Sequence, residues 1–322
     1  MVIGHQKQLE FLARAKESGR LGHAYIFSGP DKVGKKTAAL EWLSGMLGIK
    51  ITPQSAHPDF VFVAPLVDPK TGQPAGEITV GQIRELIKRL SLTASMAKYK
   101  AAVIDDAHLM NVEAQNCLLK TLEEPPGNAL IILVARDSRR LLATIRSRCE
   151  IVKFGFVAVK EMNEFAARIG NGFEENKTKE AAAASFGRPG RLALFIADED
   201  NLLRWRQSEK EFAAVVDAEL PEKFNYAKKI TDDENSDIGE IIEIWQFHFR
   251  NRLLESLAAA QIKEVSKTDP AKNQFVFSKL KEPRFTPEKI AVILNKIHDL
   301  SVVLQTTNAS PRLAIENFML DL

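Results

Sequence analysis

The sequence predicts an α/β fold: a parallel-sheet domain built around a phosphate-binding loop, then a small helical domain and an all-α C-terminal domain. Three observations lead there. Residues 29–37 read GPDKVGKKT, so Gly29, Gly34 and Lys35 occupy the positions of Gly-x4-Gly-Lys. That spacing lets backbone amides and one lysine cradle a phosphate. Short apolar runs alternate with helix-like patterns over the first two-thirds of the chain, as crossover connections in a parallel sheet require. Past about Gly155 the strand signal fades and helical periodicity takes over.

Taken in order, Ala24–Phe27 (AYIF) is a buried-strand candidate running straight into the glycine loop, and Thr37–Leu47 reads as the helix that follows. Asp59–Ala64 (DFVFVA) is a second strand, and Pro65–Gly76 is loop-like. Thr79 with Gln82 three residues on forms a capping box for a helix whose apolar face is Ile83, Leu86, Ile87 and Leu90. Ala101–Asp105 is a third strand ending in acid. Asn111 caps a helix that turns Ala114, Cys117, Leu118 and Leu122 inward, and Pro125-Pro126 ends it. Ala129–Ala135 and Glu150–Phe154 are the fourth and fifth strands. Helices are expected over Lys160–Ile169, Lys177–Phe186 and Arg191–Ala197, with a sharp break at Gly187-Arg188-Pro189-Gly190. From Asn201 the pattern is helical apart from a loop-like stretch around Lys267–Pro283. Thr286-Pro287-Glu288 is a helix start, followed by a stripe of Ile290, Ile293, Leu294, Ile297, Leu300 and Leu304. The expected domains are 1–156, 157–200 and 201–322.

The 322 residues suffice for two or three domains. Lys plus Arg number 44 against 42 for Asp plus Glu, so bulk charge does not mark a nucleic-acid binder. Two cysteines, Cys117 and Cys149, are too few for a disulfide framework or a cysteine zinc site. The start MVIGHQKQ has no apolar signal core, and no apolar run approaches a membrane span. A cytoplasmic location is the expectation.

The phosphate loop departs from its pattern at one place. The residue after Lys35 should carry a hydroxyl for Mg²⁺, and it is Lys36. Thr37 has a hydroxyl but lies about 100° further round the helix. The acidic partner of such a loop sits at a strand end, where it orders metal and water, and Val103-Ile104-Asp105-Asp106-Ala107-His108 fits that place. Asp106 stands where a water-polarising Glu is usual, one methylene shorter. Arg136, Arg139, Arg140 and Arg146 form a basic run offset only by Asp137, suited either to phosphate contacts or to a solvated face.

The loop, the VIDDAH strand, the helix Asn116–Pro126 (NCLLKTLEEPP) and Ser147-Arg148-Cys149 together resemble the AAA+ clamp-loader family. HAYIFSGP at His23–Pro30, HPDF at His57–Phe60, LLATIRSRC at Leu141–Cys149 and NASPRLAIE at Asn308–Glu316 extend the likeness from Gly4 to the C-terminus. The resemblance implies an AAA+ domain, a helical lid and a C-terminal collar. It implies that Arg148 is an arginine finger acting in trans on nucleotide held by a neighbouring subunit, with Ser147 and Cys149 holding the turn. Partners implied are sister subunits of the gamma/tau and delta types and, through the complex, the sliding clamp and primed DNA, with no membrane.

Gly29, Gly34, Lys35, Lys36, Thr37, Asp105, Asp106 and Arg191 would form a degenerate nucleotide site, Arg191 being either a lid arginine or a solvated one. ATP or ADP binding stays open. Most relatives carry a four-cysteine zinc module before HPDF; here Gly48–His57 has no cysteine, so zinc is not expected and His57 reads as a turn residue. Lys36 and Asp106 both depart from a motor subunit and favour a non-motor member without intrinsic ATPase. The alternatives are an active AAA+ motor using Thr37 and Asp106, and a free-standing DNA-binding protein, which the charge balance disfavours.

Overall fold

The computed structural model describes residues 1–66, 76–170, 174–233, 236–267, 285–306 and 309–322. Most of the expected loops Pro65–Gly76 and Lys267–Pro283, and Asn308 of the C-terminal motif, lie outside these residues. The described chain forms two compact units, Met1–Ala197 and Asp198–Leu322.

The first unit contains five parallel strands: β1 (Ala24–Ser28), β2 (Phe60–Val63), β3 (Lys100–Ile104), β4 (Ala129–Ala135) and β5 (Glu150–Lys153). They are ordered β2-β3-β4-β1-β5. The α/β class and parallel sheet are as the sequence predicts. Side chains alternate across each strand, so neighbouring residues feed different cores. Ala24, Ile26, Val61, Val63, Ala102, Ile104, Ile131 and Leu133 point to one face. There they meet α3 (Val80–Ser91), α4 (Val112–Glu123) and α5 (Ala143–Arg146) through Ile83, Leu86, Leu118, Leu122 and Ile145. Tyr25, Phe27, Phe60, Val103, Ile132 and Val134 point to the other face. They pack on α1 (Gln6–Glu17) and α2 (Lys35–Leu47) through Leu12, Ala38, Ala39 and Leu43. Connections therefore leave β1 and its neighbour β4 toward opposite faces, which opens a crevice at the carboxyl ends of these two strands.

Local chemistry explains most boundaries. The Thr79 and Gln82 capping box forms in both directions, and Asn111 Oδ1 accepts from the Ala114 amide at 2.9 Å. Other expectations move. Helix α2 starts at Lys35 rather than Thr37, because Gly34 turns the chain directly into it (φ 107°). Asp105 falls just past its strand. Three further helices complete the unit: α6 (Val159–Ile169), α7 (Glu175–Ala184) and α8 (Pro189–Ala197). Pro189 and Gly190 belong to α8, so the expected four-residue break is shorter.

The second unit is helical: α9 (Glu199–Val216), α10 (Leu220–Asp232), α11 (Ile238–Lys267), α12 (Pro287–Thr306) and α13 (Pro311–Met319). Trp245, fully buried, stacks between Phe212 and Phe318 at centroid distances of 5.0 and 5.3 Å. Ile290, Ile293, Ile297 and Leu300 of the expected stripe enter this core. Thr286 Oγ1 accepts from the Lys289 amide at 3.3 Å, as its cap position requires. No helix among the described residues is long and apolar enough to cross a membrane.

Candidate functional site

The phosphate loop sits at the crevice between β1 and β4. Gly29 passes so close to the strand-end backbone that a Cβ there would lie 2.0 Å from the Phe154 carbonyl oxygen. At its middle the loop carries Lys32 in left-handed conformation (φ 61°), and the Lys32 carbonyl accepts from the Gly190 amide of α8 at 2.8 Å. The start and the middle of the loop are therefore pinned by backbone contacts.

Three of its charged groups, Asp31, Lys35 and Lys36, are held in ion pairs. Lys35 is only 6% exposed. Its ammonium donates to the carbonyls of Gly29 and Pro30, each at 2.6 Å, and lies 3.7 Å from Asp31. Burial pulls the Lys35 pKa below its usual value, against the pull of Asp31, Asp106 and Asp105. Asp31 also pairs with Arg136 from the end of β4. The Lys36 ammonium lies 2.8 Å from Asp105 Oδ2, and Asp105 is buried.

A divalent cation needs oxygen donors. Here the hydroxyl position holds an ammonium, and that ammonium already occupies the strand-end carboxylate. This donor set does not fit Mg²⁺. Thr37 is exposed one step along α2.

Asp106 adopts a left-handed conformation (φ 49°). Burial, then the neighbouring Asp105 and Asp31, hold its carboxyl above the ordinary range. His108, not singled out in the sequence, completes the cluster. Burial, then Arg136 and Arg140, lower its pKa to about 4, so it is neutral near pH 7, and its Nδ1 is buried without a partner among the described residues. Arg191 is 4% exposed, which corrects the reading of it as a solvated helix arginine.

Arg148 lies elsewhere, after α5. It donates to Glu123 Oε1 at 2.6 Å, to the Thr144 carbonyl at 2.8 Å and to Ser147 Oγ at 3.2 Å. Ser147 Oγ in turn donates to the Thr144 carbonyl at 3.0 Å. The Cys149 thiol is pushed up to about 12 by burial and packs against the α3–α4 core, so it stays protonated. Cys117 joins the same core. Of the basic run, Arg136 pairs with Asp31 and Arg139 with Asp137. His57 Nδ1 accepts from the Asp59 amide at 3.1 Å, in keeping with a turn role.

Comparison with known proteins agrees with the sequence resemblance. Residues 4–157 match the family model described as DNA polymerase III, delta subunit. DNA polymerase III subunit delta' from Pseudomonas aeruginosa is 33% identical over 141 residues, covering 39% of this chain and 41% of that protein. DNA polymerase III subunit gamma from Buchnera aphidicola subsp. Schizaphis graminum is 29% identical over 196 residues, covering 55% and 52%. The chain thus spans about half the length of these curated relatives, or less. A gamma-subunit-related protein of Thermotoga maritima aligns over 97% of both chains at 19% identity with a TM-score of 0.46. Over residues 4–157, just under half of its length, the chain is thus similar to the clamp-loader subunits of DNA polymerase III.

Proposed function

We propose that the chain is a non-motor subunit of a clamp loader, of the delta-prime type. It supplies Arg148 in trans to nucleotide held by a neighbouring ATPase subunit, and the assembly loads a sliding clamp onto primed DNA. The observation that carries the non-motor reading is the Lys36–Asp105 ion pair. It puts a side-chain cation where a motor needs a metal-binding hydroxyl and a free carboxylate. Lys35, turned onto the Gly29 and Pro30 carbonyls, supports the same reading. The helices Asp198–Leu322 serve as the collar that meets the gamma/tau- and delta-type sister subunits.

Chemically, a trans guanidinium offsets charge that develops on the transferred phosphoryl group. Arg148→Ala is therefore expected to leave assembly intact and to lower clamp- and DNA-stimulated ATPase of the reconstituted complex by about 10²-fold or more. Unchanged turnover rules the finger out. The isolated chain is expected to show no ATP turnover above that of Lys35→Ala; steady turnover that depends on Lys35 would establish the motor reading instead.

A further inference from the structure

The finger assignment says nothing about how a long, flexible arginine is held ready for a neighbour. Arg148 makes three hydrogen-bond contacts to its own chain, two through Nη1 and one through Nη2. Nη1 faces Thr144 O and Ser147 Oγ, which lie side by side, and Nη2 donates to Glu123 Oε1. None of these contacts uses Nε, so among the described residues the Nε–H is left for an outside acceptor such as a phosphoryl oxygen. The side chain is 33% exposed, so it is reachable from outside the chain.

The acceptors come from two elements. Thr144 and Ser147 belong to the short turn that carries Arg148 itself, whereas Glu123 is the last residue of α4, a helix anchored in the core by Leu118 and Leu122. Without Glu123 the guanidinium would be tied only to its own turn.

We propose that Glu123 is a positioning residue for Arg148. It fixes the guanidinium against α4, so the rotamer freedom otherwise lost at the transition state is already lost in the folded chain. The inference rests on the trans-finger reading and deepens it. Glu123 touches no substrate, and its carboxylate is held through Nη2, not through Nε.

The test uses the chain reconstituted with its sister subunits, with clamp and primed DNA present. Glu123→Ala is expected to lower kcat for ATP about tenfold while KM stays within about twofold, because nucleotide is bound by the neighbour. Glu123→Gln keeps an acceptor at Oε1 and is expected to stay within about threefold of wild type. Glu123→Asp, whose shorter arm does not reach, is expected to fall about fivefold. In an Arg148→Ala background Glu123→Ala should cost nothing further. Wild-type or raised turnover in both Glu123→Ala and Glu123→Asp, or a full loss on top of Arg148→Ala, overturns the positioning role while Arg148 keeps its own. Unchanged turnover in Arg148→Ala alone removes the finger reading and this inference with it.

Discussion

Two glycines of the same strand-loop-helix segment make opposite demands. Gly29 cannot accept a Cβ, since the Phe154 carbonyl stands 2.0 Å from where it would sit. Gly45, exposed within α2, meets nothing within 4 Å. Gly29→Ala is expected to destabilise the chain by about 3 kcal/mol or more in urea unfolding. Gly45→Ala should stabilise it by about 0.5–1 kcal/mol through lower chain entropy. At this scale the sequence was informative wherever chemistry demands residue types at close spacing. Gly29, Gly34 and Lys35 are such a set. It was silent where partners are remote in sequence: Lys36 meets Asp105 and Arg148 meets Glu123 only because the sheet brings them together. His108 was legible as part of a strand-end motif, but its burial among Arg136 and Arg140 was not.

At the scale of elements, Asp59 ties the start of β2 to the segment before β3. Its carboxylate accepts the amides of Ser95, Met96 and Ala97 at 2.7–2.9 Å and is 1% exposed. Burial alone would raise its pKa, but the three amides, aided by Lys100, outweigh that and hold it below the usual value. A depressed carboxylate contributes stability that is complete above its unfolded pKa of about 3.9 and is lost as pH falls through the lower folded value. Urea unfolding from pH 6 to pH 2 should therefore show wild type losing its advantage over Asp59→Asn only below about pH 4. Asp59→Ala, which orphans three amides, should cost about 3 kcal/mol at pH 7.

Element types were largely readable because strands buried on both faces read as short unbroken apolar runs, while helices carry a single apolar stripe. The exceptions have physical reasons. Helix α1 buries little beyond Leu12, so it has almost no apolar stripe to detect. Helix α5 is four residues long, too short for any periodicity.

At the scale of the molecule, each unit has a core of its own. The Trp245 stack with Phe212 and Phe318 belongs wholly to the second. Trp245→Ala is expected to destabilise that unit by about 3–5 kcal/mol. In calorimetry this should separate a lower transition from that of the sheet unit, while wild-type transitions lie closer together. The boundary between sheet and helical regions was legible as the fading of strand patterns.

The loop's two anchors carry a further consequence. The Gly190 amide hydrogen is bound to the Lys32 carbonyl, so it exchanges with solvent only when α8 and the loop part. That single proton acts as a clock for the site. Its exchange rate, followed as nucleotide or partner subunits are added, reads out how often the cradle opens, with no label on the cradle itself.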